Sequence, residues 1–100
     1  MLLYNITFSV EKRIHENWLK WMKAHFVPEI EKISQINNHS ILKLLTEIDN
    51  GGVTYTFQLF FENQTDFEHF ETNQREMLLY RHDSFFRGKV MTFNTLLETV

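Results

Sequence analysis

The chain of 100 residues has no cysteine, one proline and three glycines. Without cysteine there is neither a disulfide scaffold nor a thiolate metal site, and a reducing, cytoplasmic setting is expected. So little glycine and proline, beside 43% hydrophobic residues, excludes collagen-like, linker-like and disordered character. Uninterrupted apolar runs are only a few residues long, which excludes a membrane-spanning helix. The opening residues have no basic leader ahead of an apolar stretch and no small-residue cleavage site, which predicts the absence of a signal peptide. Positive charge is also scarce. A formal net charge of -3 gives no electrostatic basis for nucleic-acid binding. Neither a Walker loop, a dinucleotide-binding glycine pattern nor a nucleophile elbow is present.

What is present is periodicity. Leu2, Tyr4, Ile6, Phe8 and Val10 alternate with Leu3, Asn5, Thr7 and Ser9, a period of two that predicts a half-buried strand. From Lys12 to Val27 the period becomes helical. Ile14, His15, Trp18, Leu19, Trp21, Met22, His25 and Phe26 fall in one arc of roughly 160°. The helix is expected to end or kink before Pro28, which suits the first position of a further turn whose Ile30 and Ile33 reach the core edge. Gln35 to Ser40 reads as a polar connection and Ile41 to Ile48 as an edge strand. Asp49-Asn50-Gly51-Gly52 reads as a hairpin turn, and Val53 to Phe61 as a second alternating strand.

Thr65 with Glu68 three residues on predicts a capping box at the start of a second helix. Its Phe67, Phe70, Gln74, Met77, Leu78 and Arg81 share an arc of roughly 100°, with Leu79 outside it and expected to be exposed or against a partner. Ser84 to Arg87 reads as a connection, Gly88 as a turn and Val90 to Leu97 as the last strand. The order βαββαβ in one short chain predicts a single α+β domain over residues 1–100, a ferredoxin-like sandwich with a four-stranded antiparallel sheet and two helices on one face. The first and third strands are expected in the centre.

Two helices cover one face of such a sheet. The other carries Asn5, Thr7, Ser9, Thr54, Thr56, Gln58, Phe60 and half of the last strand. Its centre is uncharged, where a solvated face usually carries Lys and Glu, and burial against a second copy is expected. The result would be a dimeric α/β barrel.

The sequence also resembles a bacterial family, the domain of unknown function numbered 4286. The resemblance is carried by Tyr4-Asn5-Ile6-Thr7, by His15-Glu16-x-Trp18-Leu19-x-Trp21-Met22-Lys23 and by Pro28-Glu29. Gly51-Gly52-Val53-Thr54-Tyr55 and the closing Phe93-x-Thr95-Leu96-Leu97-Glu98 extend it over the whole chain. It implies a ferredoxin-like fold in the dimeric α/β-barrel group, near the antibiotic-biosynthesis monooxygenase-like proteins, and no established activity. The family pattern places a histidine two residues before the proline, whereas His25 stands three before Pro28.

The candidate site residues are the polar and aromatic members of the helical arcs. His25 lies centrally between Trp18 and Trp21, either as a hydrogen-bonded core histidine or as a group whose pKa is tuned toward catalysis. His15, at the edge of the arc, reads as structural. Arg81 and Gln74 sit mid-arc among apolar residues. Arg81 could receive a ligand carboxylate in bidentate fashion, or satisfy carbonyls at the helix end. Trp18, Trp21 and Tyr55 are core aromatics that could also wall an apolar pocket. His15, His25, His39, His69 and His82 show no close pair at ligand spacing, so no metal site is expected. His82 and Asp83, adjacent in sequence, are not expected to share a helix face.

Two functions fit these residues. One is a non-catalytic homodimer binding a small apolar or amphipathic ligand, or a protein partner. Its pocket between helices and sheet would use Trp18, Trp21, His25, Tyr55, Gln74 and Arg81. The other is a cofactorless oxygenase or isomerase in the same cavity, with His25 as general base. No cofactor, nucleic acid or membrane partner is expected under either.

Overall fold

The computed structural model describes residues 1–46 and 51–100. Strand β1 spans Leu2–Glu11, β2 Asn38–Lys43, β3 Gly52–Phe61 and β4 Val90–Glu98, in the antiparallel order β2-β3-β1-β4. The two long alternating strands are therefore central, as expected. Their register sets Ile6 opposite Phe57 and Phe8 opposite Tyr55 on one face, and Asn5 opposite Gln58 and Thr7 opposite Thr56 on the other. Because side chains alternate, the first set is buried under helices and the second is only half-buried. Gly52 is required by close approach: a Cβ there would stand 2.8 Å from the Val10 carbonyl oxygen. Gly51 has a φ of 75°, the left-handed conformation that the hairpin reading assigns to glycine. Asp49 and Asn50 of that hairpin, with Glu47 and Ile48 of the predicted edge strand, lie outside the described residues, and the strand itself ends at Lys43, before the expected Ile48.

Strand β2 departs from expectation at its start. It begins at Asn38, three residues before Ile41, because the Asn37 amide already donates to the Phe60 carbonyl at 2.7 Å and draws the polar segment into the ladder. Ile41 faces the core and Leu42 the open face, where it is exposed.

The first helical segment is not one uniform helix. A 3-10 turn at Lys12–Ile14 leads into α1 (His15–Trp21), a π-helical stretch at Met22–Phe26 and α2 (Val27–Glu31), with Pro28 in its first turn. The buried line is Trp18, Met22, Phe26 and Ile30. In an unbroken α-helix a line at spacing four drifts by about 40° per step. The wide turn takes that drift back and keeps Phe26 over the sheet. The same turn swings His25 out of the buried arc and leaves it exposed, which corrects its expected position.

The second helical segment is also divided. α3 (Gln64–Asn73) and α4 (Arg75–Phe86) meet at Gln74, whose φ of -122° is not helical. Asn63, not Thr65, is the N-cap, its Oδ1 accepting from the Asp66 amide at 2.9 Å. Asn caps as well as Thr does, and the helix starts earlier as a result. Beyond the break the buried line becomes Leu78, His82 and Phe86. Arg81 and Met77 are therefore exposed, Gln74 is half-buried, and Leu79 packs partly against the core rather than standing clear of it. Ser84 to Phe86 continue the helix, and the chain turns at Gly88, which has a φ of 76°.

Helices cover one face of the sheet alone. On the open face, β1 and β3 present Leu3, Asn5, Thr7, Ser9, Thr54, Thr56, Gln58 and Phe60, with charge only at the Glu11 end. Strand β4 adds Met91, Phe93 and Leu97 there, and Phe93 is 62% exposed.

Candidate functional site

The space between helices and sheet is filled. Trp18, Phe8 and Phe57 are all 0% exposed, and among the described residues the six candidates do not line one cavity there. The structure sorts them into three places.

Trp21, His25, Arg81 and Gln74 line an open groove on the outer side of the helical layer, between α1–α2 and α3–α4. It has two adjoining basins of about 440 Å³ each, with Glu29, Leu78 and Arg81 common to both. Trp21, His25 and Phe85 wall the first; Gln74, His69 and Met77 line the second. Phe85 stacks on Trp21 at 5.5 Å between centroids and 26° between planes, and His25 lies 5.6 Å from the same indole. Phe85 is nonetheless 66% exposed, as Tyr80 and Met77 largely are, an apolar rim of the kind that marks binding surfaces. Arg81 Nη1 stands 3.5 Å from Glu29 Oε1, which also meets Lys32 Nζ at 3.4 Å. A pair this exposed is held weakly, so the guanidinium can turn toward a ligand anion. Gln74 Oε1 is buried and lacks a hydrogen-bond partner among the described residues.

Trp18 lies elsewhere, sealed in the core. Its indole Nε1–H donates to His82 Nε2 at 2.9 Å, and His82 is likewise 0% exposed. Since Nε2 accepts, the ring proton sits on Nδ1, which donates to Asp83 Oδ1 at 3.0 Å. The two residues do not share a face, His82 being buried and Asp83 exposed, yet the Asp83 carboxylate reaches the ring. Burial lowers the His82 pKa below the usual histidine value, with the Asp83 contact opposing the shift. The ring is neutral, with both nitrogens engaged, and ties α1 to α4. Sequence reasoning missed this contact across 64 positions. The available signal was the spacing of Leu78, His82 and Phe86, together with a buried tryptophan N–H in need of an acceptor.

Tyr55 is in a third place, beneath α1, with its hydroxyl 3.0 Å from His15 Nδ1. Burial raises its pKa, and the Glu16 carboxylate adds to that. Among the described residues no group of three acidic or histidine side chains is placed to hold a metal ion.

The family model for the domain of unknown function DUF4286 matches residues 1–100. The chain belongs to that family. No curated protein matches this DUF4286 chain. Solved structures share its fold at low identity. The oxygenase SnoaB from Streptomyces nogalater, described as cofactor-independent, has a TM-score of 0.67 and 14% identity over 98% of this chain and 91% of its own. An antibiotic biosynthesis monooxygenase candidate from Deinococcus radiodurans has a TM-score of 0.71 and 11% identity over 100% and 93%. A protein described as dimeric and ferredoxin-like, from an uncultured marine organism, has a TM-score of 0.61 and 8% identity over 99% and 94%. This DUF4286 protein thus has a ferredoxin-like α+β fold. Among its described residues no helix is long and apolar enough to cross a membrane.

Proposed function

We propose that this DUF4286 protein is a non-catalytic homodimer that binds a small amphipathic ligand in the groove across its helical layer. The carrying observation is the basin in which Trp21, His25, Phe85 and Arg81 meet. An apolar ring fits against the stacked Trp21–Phe85 pair, and an acidic group reaches the weakly held Arg81 guanidinium. His25 has no carboxylate or hydroxyl partner to orient it as a base among the described residues, which favours binding over the oxygenase or isomerase alternative. That alternative draws its support from SnoaB, a cofactor-independent oxygenase of similar fold, and a shared fold alone carries no chemistry.

Pairing through the open sheet face is supported by its uncharged centre and by Met91, Phe93 and Leu42 standing exposed on it. Asn5 Oδ1, also on this face, is buried with no hydrogen-bond partner among the described residues, an acceptor that a second copy can satisfy. The dimeric ferredoxin-like neighbour from an uncultured marine organism points the same way.

Titration with 2-naphthoate, followed by tryptophan fluorescence, tests the groove. Binding is expected to quench Trp21, to vanish from the signal in Trp21→Phe, and to weaken about tenfold in Arg81→Gln. Equal affinity in Arg81→Gln, or no saturable quenching, overturns the reading.

A further inference from the structure

A separate cleft of about 360 Å³ lies where α1 crosses the edge of the sheet at β2 and β3, and it shares no lining residue with the groove. Leu19, Ile41 and the Tyr55–His15 pair line it, with Glu16, Lys23 and Lys43 around them. We propose that this cleft binds a small organic anion, a carboxylate on a short apolar stem, with His15 as hydrogen-bond donor and Lys23 and Lys43 as charge partners.

The argument starts from the hydrogen bond. Tyr55 is almost fully buried, its ring 4.9 Å from that of Trp18, and its hydroxyl lies 3.0 Å from His15 Nδ1. Burial and the Glu16 carboxylate both raise the phenol's pKa, which keeps its O–H available to donate to Nδ1. With Nδ1 accepting from the phenol, the donor that His15 offers is Nε2–H. The pair thus presents a half-buried, pre-oriented N–H donor anchored to the core.

The ammonium groups come from two elements, Lys23 from the π-helical stretch after α1 and Lys43 from the end of β2. Glu16 is the acid among the lining residues, so the two lysines leave the cleft with a net positive charge. Leu19 and Ile41 are partly buried against the core and give an apolar stem its surface. A polar head bound by cations and an N–H, beside an aliphatic wall, describes an amphipathic carboxylate.

Full-length labelled protein titrated with hexanoate and, separately, with 1-hexanol tests the assignment by nuclear magnetic resonance. Hexanoate is expected to give saturable shifts at the His15 and Tyr55 rings, and hexanol to bind at least about tenfold more weakly. Lys23→Gln and Lys43→Gln should each weaken hexanoate about threefold, and the double variant about tenfold. Tyr55→Phe keeps the ring packing but frees His15 Nδ1, so the ring-nitrogen shifts should report loss of the single Nε2–H tautomer together with weaker binding. The proposal is overturned if hexanol binds as well as hexanoate, or if the shifts fall on Trp21 and Phe85 instead. Absence of saturable shifts in the wild-type protein overturns it as well.

Discussion

The two faces of the β-sheet share a backbone and differ in every other respect. Along β1, Ile6 and Phe8 are sealed under the helices while Asn5 and Thr7, one residue away, stay half-buried; along β3, Phe57 and Thr56 divide in the same way. The covered face is held by side-chain volume, so its tolerance to change is set by packing. The open face carries hydroxyl and amide groups flanked by apolar residues, with almost no charge, so its tolerance is set by what lies against it. One face makes the fold; the other stands open.

The largest expected effect comes from breaking the covered face. Phe57→Ala, at a fully buried ring, should lower stability to urea by about 3–5 kcal/mol. A much smaller loss would mean that the core collapses around the gap. On the opposite face, Thr56→Lys should leave the urea midpoint of the monomer nearly unchanged. Light scattering at micromolar concentration should then show a dimer converted to monomer, because the pair would bury an unmatched charge at a cost of several kcal/mol. A wild-type monomer, or a dimer indifferent to the lysine, would place association on another surface.

Acidity sharpens the comparison, because the helical layer over the covered face holds a buried ionisable group, His82. His82 has a pKa lowered by desolvation, so the folded chain binds fewer protons than the unfolded one near neutrality. The stability this group supplies is complete above about pH 6.5, the unfolded value, and is lost as pH falls toward the lower folded value. Urea midpoints measured from pH 7.5 to 5 should fall in the wild type and fall less in His82→Gln. The smallest effect lies outside both faces. Asn63→Ala should cost about 1 kcal/mol through loss of the helix cap, whereas Thr65→Ala should stay within about 0.5 kcal/mol.

Strands were legible because their signal is short-range. The alternation from Leu2 to Val10, and again from Val53 to Phe61, settles which side chains share a face without reference to anything else in the chain. Helix rotation was less legible. Counting at a uniform period puts His25 and Arg81 on buried arcs, but the π-helical stretch at Met22–Phe26 and the break at Gln74 reset the phase, and both residues emerge at the surface. The reset still brings Trp21, His25, Gln74 and Arg81 into one groove, on the outer side of the layer rather than beneath it.

By itself, the order of residues determined the βαββαβ succession and the uncharged open face, since each follows from local period and from how much sheet two helices can cover; the two central strands follow from the usual order of that fold and not from period. Only the tertiary structure decided that Trp18 would find His82, that Tyr55 would find His15, and that the interior would close while the helical layer stayed grooved. Those outcomes depend on contacts between residues 40 and 64 positions apart, where volume and hydrogen-bond geometry outweigh the preference of either segment alone.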